Sequence, residues 1–186
     1  MRVGILAVQG AFAEHADCLK RLNTEFVFIR KSEDTEKIDR LILPGGESTV
    51  QRKLLHELGL FGQLKEKINA GMPVLGTCAG LILLAEEIQG DEEPCFRTLP
   101  VRVCRNAYGR QLGSFSAEGD IGSIEKYPMR FIRAPYVEEI LSPEVKILNV
   151  TDGRITAISY RNMTGLAFHP ELTDDLRIHK FFLEYK

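Results

Sequence analysis

The sequence lacks a charge imbalance that would draw it to nucleic acid. It has 24 lysines and arginines against 26 aspartates and glutamates, which gives a net charge of −2 at pH 7. An excess of positive charge on one face is the usual footprint of nucleic-acid binding. We therefore expect no nucleic-acid partner.

Long apolar runs are also missing from the sequence. No stretch approaches the roughly 20 apolar residues that a membrane span needs. The first residues, Met1-Arg2-Val3-Gly4-Ile5-Leu6, lack the long apolar region and the cleavage site of a signal peptide. We expect no membrane association and a first strand of the core here instead.

Cysteine is scarce and never spaced as C-x-x-C, which argues against a zinc site and against a redox pair. Scattered thiols in a chain of this size suggest a reducing cytosol, so a cytoplasmic protein without a metal is expected. The four cysteines are Cys18, Cys78, Cys95 and Cys104.

The first half of the chain has the pattern of an α/β protein. Residues 3–8 are nearly all apolar, which is typical of a strand buried on both faces of a parallel sheet. Helical spacing follows over residues 11–22, and strands are predicted at 25–29 and 38–43. Helices are then predicted at 49–58, where Ser48 and Gln51 match a capping box, and at 61–70. This order predicts an open α/β sheet flanked by helices.

The second half is predicted to be mostly antiparallel strands closed by one helix. Asp152-Gly153 is a hairpin turn signal between two of these strands. We see no linker or repeat, so one domain over residues 1–186 is expected. The strands are predicted at residues 99–105, 111–117, 130–134, 145–150, 155–160 and 165–168, and the helix at 173–184.

The stretch Gly76-Thr77-Cys78-Ala79-Gly80 copies the pattern of a nucleophile elbow. A short apolar strand stops at Gly76, and a helix predicted to run to about residue 88 begins near Ala79. Small flanking residues let the chain turn tightly enough to expose the Cys78 sulfur, and the positive end of the helix favours a thiolate. The alternative is a buried structural cysteine.

Phe168-His169-Pro170-Glu171 lies between the last strand and the last helix. Histidine suits proton transfer near neutral pH, and a carboxylate two residues later could orient the imidazole. Together with Cys78, these residues have the roles of nucleophile, base and orienter in a triad. By itself, the motif could equally be a solvated histidine and a glutamate that caps a helix.

The pair Gly45-Gly46 follows the third predicted strand. Acyl transfer needs hydrogen-bond donors where the tetrahedral oxyanion forms, and glycines let backbone N–H groups approach a ligand. We assign one donor to the Gly46 N–H and another to the Ala79 N–H, directly after the nucleophile. A plain tight turn is the alternative.

These three stretches resemble the class I, or triad, glutamine amidotransferases, whose glutaminase domains have a flavodoxin-like α/β architecture. Further stretches resemble the glutaminase subunits of ribose-5-phosphate-dependent pyridoxal 5′-phosphate synthases, namely Gly-Gly-Glu-Ser-Thr, Arg-Asn-x-x-Gly-Arg-Gln and Ile-Arg-Ala-Pro. The resemblance covers almost the whole chain and rests on residues 6–12, 41–49, 76–83, 105–111, 131–135 and 168–172.

The resemblance implies hydrolysis of L-glutamine to L-glutamate and ammonia through a Cys-His-Glu triad and a thioester. It implies no cofactor, and it implies delivery of ammonia to a separate, barrel-shaped synthase subunit in a hetero-oligomer. The residues that it places around the glutamine are Gly45, Gly46, Glu47, Arg105, Ile132 and Arg133.

The chemistry of glutamine partly supports this site. Its α-carboxylate needs cationic donors such as Arg105 or Arg133, and its ammonium needs an acceptor such as Glu47. Either arginine could instead be a surface charge, and the sequence does not decide which one touches substrate. Ser116 departs from the acidic residue expected after Ser-Phe, which could alter a salt bridge or a partner contact.

Other reactive side chains are interpreted as structural. His15 and His56 lie on predicted helices as surface or packing residues, and His179 is expected to be solvated. The three cysteines outside the elbow are expected to be core or half-buried thiols. The unhindered Gly45-Gly46 peptide could flip, so the isolated subunit is expected to be nearly inactive until the synthase binds.

Three alternatives stay open at this stage. The chain could serve another ammonia-using synthase, such as the cyclase of histidine biosynthesis. It could be a cysteine peptidase or thioesterase on a similar scaffold. It could also be a non-catalytic regulatory subunit, although such a protein would be expected to lose Cys78, His169 or Glu171.

Overall fold

A computed structural model describes residues 1–90, 93–105 and 114–184. The helices within these ranges are α1 (Phe12–Arg21), α2 (Ser48–Glu57), α3 (Leu60–Asn69), α4 (Ala79–Leu84) and α5 (Arg177–Glu184). The strands are β1 (Arg2–Leu6), β2 (Glu25–Ile29), β3 (Arg40–Leu43), β4 (Val74–Thr77), β5 (Ala85–Ile88), β6 (Leu99–Cys104), β7 (Ser114–Ile121), β8 (Ile124–Ile132), β9 (Tyr136–Ile140), β10 (Lys146–Thr151), β11 (Arg154–Tyr160) and β12 (Met163–Leu166).

One mixed sheet organises the described residues. Its strand order is β2-β1-β3-β4-β12-β11-β9-β6-β5, and β10 pairs with β11 beside this path. The strands from β2 to β12 are parallel, in the 2-1-3-4-5 order of flavodoxin-like sheets. The antiparallel pair β7–β8 forms a second, two-stranded sheet. The expected open mixed α/β architecture is confirmed.

The core lies on both faces of the parallel strands. Every residue of β4 and β12 is buried, and Val3, Ile5 and Leu6 of β1 are fully buried. Apolar side chains on α1 and α3 pack onto these strands at helical spacing. Burial on both faces explains the continuous apolar runs that predicted these strands.

Most predicted elements are present, with ends that differ by a few residues. The strand predicted at 25–29 coincides with β2. The hairpin turn is also confirmed, because Asp152 (φ 51°) and Gly153 (φ 74°) join β10 to β11 with two positive φ angles. Residues 111–113 of one predicted strand and residues 106–111 of the Arg-Asn motif lie outside the described residues.

The helix after the elbow is shorter than predicted. It ends at Leu84 instead of residue 88, and Ala85–Ile88 forms β5, which pairs in parallel with β6. Ala85 has φ −53° and ψ 142°, so the backbone leaves the helix there. Pairing with a strand distant in sequence decided the conformation, and local sequence carries no sign of it.

The predicted capping box is wrong. Glu47 is the N-cap of α2, and its side chain makes no capping bond. The Gln51 amide instead donates to the carbonyls of Gln9 (2.9 Å) and Pro44 (3.2 Å), which ties α2 to two loops. Ser48 lies inside the helix.

The C-terminal region also differs from its prediction. A 3₁₀ turn at Pro170–Leu172 precedes α5, which begins at Arg177 instead of residue 173. Strand β9 was not predicted, and β8 begins earlier than expected. No helix in the ranges described is long and apolar enough to cross a membrane.

Candidate active site

Cys78 occupies a sharp turn between β4 and α4. Its backbone has φ 50° and ψ −101°, a conformation that residues other than glycine rarely adopt. A Cβ at Gly80 would lie 2.0 Å from the Leu43 carbonyl oxygen, and one at Gly76 would lie 2.8 Å from the Gly80 carbonyl oxygen. The glycines on both sides of Cys78 are therefore required by backbone packing, as an elbow demands.

His169 and Glu171 lie together in the turn that follows β12. His169 Nδ1 is 2.6 Å from Glu171 Oε1, and both side chains are almost completely buried. This contact occupies one ring nitrogen and leaves Nε2 for Cys78, with which the imidazole also interacts. The structure thus brings together the three residues predicted as a triad.

The environment of His169 favours its protonated form. Burial alone lowers the pKa of His169, but the hydrogen bonds and negative charges of Cys78 and Glu171 reverse this and raise the pKa to about 10. Burial raises the pKa of Glu171, yet its interactions with His15 and His169 outweigh burial and leave that pKa below its usual value. The imidazole is therefore held between two acidic partners.

The glycine loop lies directly against the imidazole. A Cβ at Gly45 would be 2.3 Å from His169 Cε1. The Ala11 N–H donates to the Gly45 carbonyl at 3.0 Å, so the Gly46 N–H of the same trans peptide points the opposite way. The Glu47 N–H donates to the Gln9 side chain at 2.8 Å. Backbone and side-chain contacts therefore hold the loop at this position.

A cavity of about 570 Å³ opens beside Cys78, a size usual for small-molecule sites. Ala79 and Glu171, which were also predicted as site residues, are buried and do not line it. Its wall contains the other predicted residues, Gly45, Gly46, Glu47, Cys78, Arg105, Ile132, Arg133 and His169, together with Gly10, Ala11, Glu14, Ser48, Ile82 and Leu172.

The two arginines of the cavity differ in their partners. Arg105 Nη2 is 2.9 Å from Glu47 Oε1. A hydrogen bond from Thr49 lowers the pKa of Glu47, burial opposes this, and Arg105 lowers it further. Within the described residues, the exposed Arg133 has no carboxylate partner, and its φ of 42° places it at a sharp bend after β8.

Two histidines that contact the site region were not predicted to do so. His15 and His179 are fully buried, so the expectation of a solvated His179 is wrong. Helical spacing contained the signal, because His15 lies three residues after Phe12 and four before Leu19 on the apolar face of α1. A buried polar partner on another element cannot be inferred from such spacing.

The remaining structural assignments agree with the sequence. His56 is exposed and stacks on Phe61 with 4.3 Å between ring centroids. Cys18 and Cys95 are buried and Cys104 is half-buried, each with a free thiol. Burial raises the pKa of Cys95 to about 12 and that of Cys18 to about 11, so neither is poised as a nucleophile.

Comparison with known proteins gives consistent matches over nearly the full chain. A model of the SNO glutamine amidotransferase family matches residues 5–186. The chain is 57% identical to the pyridoxal 5′-phosphate synthase subunit PdxT of Desulfitobacterium hafniense (strain DSM 10664 / DCB-2), over 99% of this chain and 92% of that protein. It is 52% identical to the PdxT of Bifidobacterium longum (strain NCC 2705), over 97% of this chain and 98% of the relative.

A solved structure described as a glutamine amidotransferase has the same fold. Its TM-score is 0.93 with 40% sequence identity, and the match covers 98% of this chain and 97% of that one.

Proposed function

This chain belongs to the SNO glutamine amidotransferase family, and we propose that it is the glutaminase subunit of a pyridoxal 5′-phosphate synthase. The observation that carries the proposed chemistry is the placement of Cys78 and His169 beside a glycine loop in one cavity, with Glu171 behind the imidazole. The activity is hydrolysis of L-glutamine to L-glutamate and ammonia.

The first half of the reaction forms a thioester. The Cys78 sulfur attacks the side-chain amide carbon of glutamine, and the oxyanion is stabilised by the N–H groups of Gly46 and Ala79. His169 then gives its proton to the amide nitrogen, the carbon–nitrogen bond breaks, and ammonia leaves. The raised pKa of His169 supports this role, because the imidazole is protonated at neutral pH when the thiolate attacks.

The second half regenerates the enzyme. After acylation, neutral His169 takes a proton from water, and the resulting hydroxide attacks the thioester. Glutamate leaves and Cys78 recovers its thiolate. Glu171 contacts Nδ1, so it keeps Nε2 directed at the sulfur and the water in both halves of the reaction.

The rest of the cavity recognises glutamine. Gly45 lets the loop lie against the imidazole and Gly46 lets it pack on Gln9, so both line the cavity, and Ile132 lines the side-chain path. We assign the α-carboxylate to Arg133, because Arg105 already holds Glu47. Glu47 is then the acceptor for the α-ammonium.

The ammonia needs an acceptor enzyme, since it is wasted once it escapes into water. We propose that residues 1–186 act as a single glutaminase domain and pass ammonia to a separate, barrel-shaped synthase subunit. That subunit uses it to make pyridoxal 5′-phosphate. The four free thiols fit a reducing compartment, so a cytoplasmic complex is proposed.

Binding of the synthase is proposed to complete the oxyanion site. The Gly45 carbonyl accepts from the Ala11 N–H at 3.0 Å, and a flip of the Gly45-Gly46 peptide would break that bond. The isolated subunit is therefore expected to turn over slowly. Full activity without the synthase, unchanged when it is added, would contradict this.

Ammonia release from glutamine tests the proposal. The wild type and Cys78→Ala are each measured with and without the synthase subunit. We expect at least about a thousand-fold loss in the variant with synthase present, because the nucleophile is absent. Equal rates for the two proteins would refute the triad assignment.

A further inference from the structure

A buried polar cluster lies behind the triad, on the side away from the cavity. Its members are His15 on α1, Thr77 at the end of β4, Glu171 after β12 and His179 on α5. Three of them are 0% exposed and Glu171 is 6% exposed. None of the four lines the cavity, so any effect on substrate must pass through a neighbouring residue.

His15 is the central member of this cluster. Its Nδ1 is 2.9 Å from His179 Nε2. Its Nε2 is 3.2 Å from Thr77 Oγ1 and 3.4 Å from Glu171 Oε2. Glu171 therefore has His169 at one carboxylate oxygen and His15 at the other.

The buried atoms decide which ring nitrogens carry protons. Within the described part of the chain, Glu171 Oε2 and His179 Nδ1 are buried without a hydrogen bond. A proton on His15 Nδ1 would turn a lone pair of Nε2 towards the carboxylate, and would force the His179 proton onto the unpartnered Nδ1. Protons on Nε2 of both rings avoid both costs. His179 Nε2–H then donates to His15 Nδ1 at 2.9 Å, and His15 Nε2–H lies between Thr77 Oγ1 at 3.2 Å and Glu171 Oε2 at 3.4 Å.

Both outer histidines are held neutral. Burial lowers the pKa of His15, and the charge of Glu171 opposes this only in part. Burial and His15 together lower the pKa of His179 to about 3. A neutral ring orients Glu171 without cancelling its charge, which His169 needs. The other ionisable groups that act on the two rings are His169 and Glu14 for His15, and Glu171 and Arg21 for His179.

The same cluster also reaches the glycine loop. Thr77 Oγ1 accepts a hydrogen bond from the Gly45 N–H at 3.1 Å while it contacts His15. His15 therefore contacts Glu171 directly and is linked to the glycine loop through Thr77. A displacement of His15 would disturb both.

We propose that His15 is a positioning residue for the glutaminase reaction, which anchors the second oxygen of Glu171 in a tautomer set by His179. This polar contact at 3.4 Å opposes rotation of the carboxylate away from His169, which keeps Nε2 of that imidazole directed at Cys78. This inference rests on the proposed function. Removing the polar partner of a buried charged group typically costs about 10- to 100-fold.

The test compares His15→Leu with His15→Gln in the assembled complex with the synthase subunit. The variant His15→Leu lacks the N–H donor of the imidazole. The glutamine side chain of His15→Gln can present an N–H near the position of imidazole Nε2. We expect kcat to fall about 10- to 100-fold in His15→Leu with KM within about threefold, and we expect His15→Gln to keep most of the wild-type kcat. Leu19→Ala, a buried change one turn further along the same face of the helix, removes packing beside His15 but keeps its imidazole, and it should keep kcat.

The pH dependence of Cys78 alkylation by iodoacetamide gives a second readout, which a purely structural role would not move. Loss of the anchor weakens the support of His169 by Glu171, so the alkaline limb of the profile should shift to lower pH in His15→Leu. His179→Leu, which removes the tautomer constraint, should shift it in the same direction and replaces His15→Leu if that variant does not fold.

The proposal is overturned if His15→Leu keeps kcat within twofold of wild type, or if kcat of His15→Gln is no higher than that of His15→Leu. It is also overturned if the pH profile of Cys78 alkylation is unchanged in His15→Leu. Cys78→Ala separates this failure from failure of the proposed function. An inactive Cys78→Ala beside a fully active His15→Leu refutes the positioning role alone, whereas an active Cys78→Ala refutes the triad.

Discussion

The parallel half of the main sheet and the separate antiparallel pair β7–β8 both contribute to the cavity, but with different tolerances. Strands β3, β4 and β12 lead into the glycine loop, Cys78 and His169, all at the carboxyl ends of buried parallel strands. Strand β8 contributes Ile132, and the bend after it contributes Arg133, both exposed. The first region fixes reacting atoms through backbone packing, and the second offers side chains to the substrate.

Substitution of a glycine by alanine should show the difference in tolerance between the two regions most strongly. A Cβ at Gly80 would lie 2.0 Å from the Leu43 carbonyl oxygen, and backbone cannot yield as a side chain does. At Gly119 on β7, the nearest atoms are the side-chain ends of Asn149 and Met129, each at 3.3 Å. We expect Gly80→Ala to destabilise the fold by about 3 kcal/mol and Gly119→Ala by well under half of that, measured by urea unfolding. Equal losses would contradict the contrast.

Acid should weaken the parallel half through its buried histidines. The pKa of His179 is about 3 in the fold against 6.5 in the unfolded chain, and burial causes most of the difference. The unfolded chain binds more protons between these values, so stability falls as pH drops from about 6.5 towards about 3. The expected slope is about 1.4 kcal/mol per pH unit for each neutral buried histidine.

Urea unfolding at a series of pH values measures this slope. The variant His179→Gln should reduce the slope of the unfolding free energy against pH by the contribution of one histidine proton. Leu19→Ala should lower stability by a similar amount at every pH, since it removes packing and no imidazole. An unchanged slope in His179→Gln would show that this histidine is not buried neutral.

Removal of the exposed arginine should weaken substrate binding without stopping the chemistry. Arg133→Ala is expected to raise KM for glutamine about tenfold, because a charge-assisted hydrogen bond contributes roughly 1.5 kcal/mol. Its kcat should change little, since the triad is untouched. Arg105→Ala should have a smaller effect on KM, because it acts through Glu47. Steady-state ammonia release with the synthase present gives both constants, and a larger KM effect for Arg105 would reverse the assignment.

The smallest effect is expected at Ser116. Arg130 donates to its hydroxyl at 2.8 Å on an exposed face of the β7–β8 pair. Ser116→Asp would convert this bond to a surface ion pair, which typically contributes less than about 1 kcal/mol. Glutaminase activity of the isolated variant should match the wild type, and thermal unfolding should shift only slightly. A large change in turnover would place Ser116 in the site after all.

The sequence predicted the parallel half more closely than the antiparallel half for a physical reason. Strands buried on both faces are continuous apolar runs, and glycines mark the places where backbones approach. Short strands outside this parallel core carry no such mark, so the sequence predicts the end of a helix where the edge strand β5 lies and predicts nothing at β9 between β11 and β6.

The environments that the sequence did not predict are those that distant polar partners decide. Cys78, His169 and the glycine loop each had a local motif, and the fold brings them together. His15 and His179 are separated by 164 residues, and only the packing of α1 against α5 brings them into contact. Gln51 likewise follows a local capping pattern but bonds to two loops.

Covalent labelling of the complex with 6-diazo-5-oxo-norleucine, a glutamine analogue, tests the central claim most directly. Peptide mapping should find one adduct, on the peptide that contains Cys78, together with loss of ammonia release. Cys78→Ala should remain unlabelled, and the thiols of Cys18, Cys95 and Cys104 should stay free. Labelling at one of those three, or no labelling while glutamine is still hydrolysed, would contradict the assignment of Cys78 as the nucleophile.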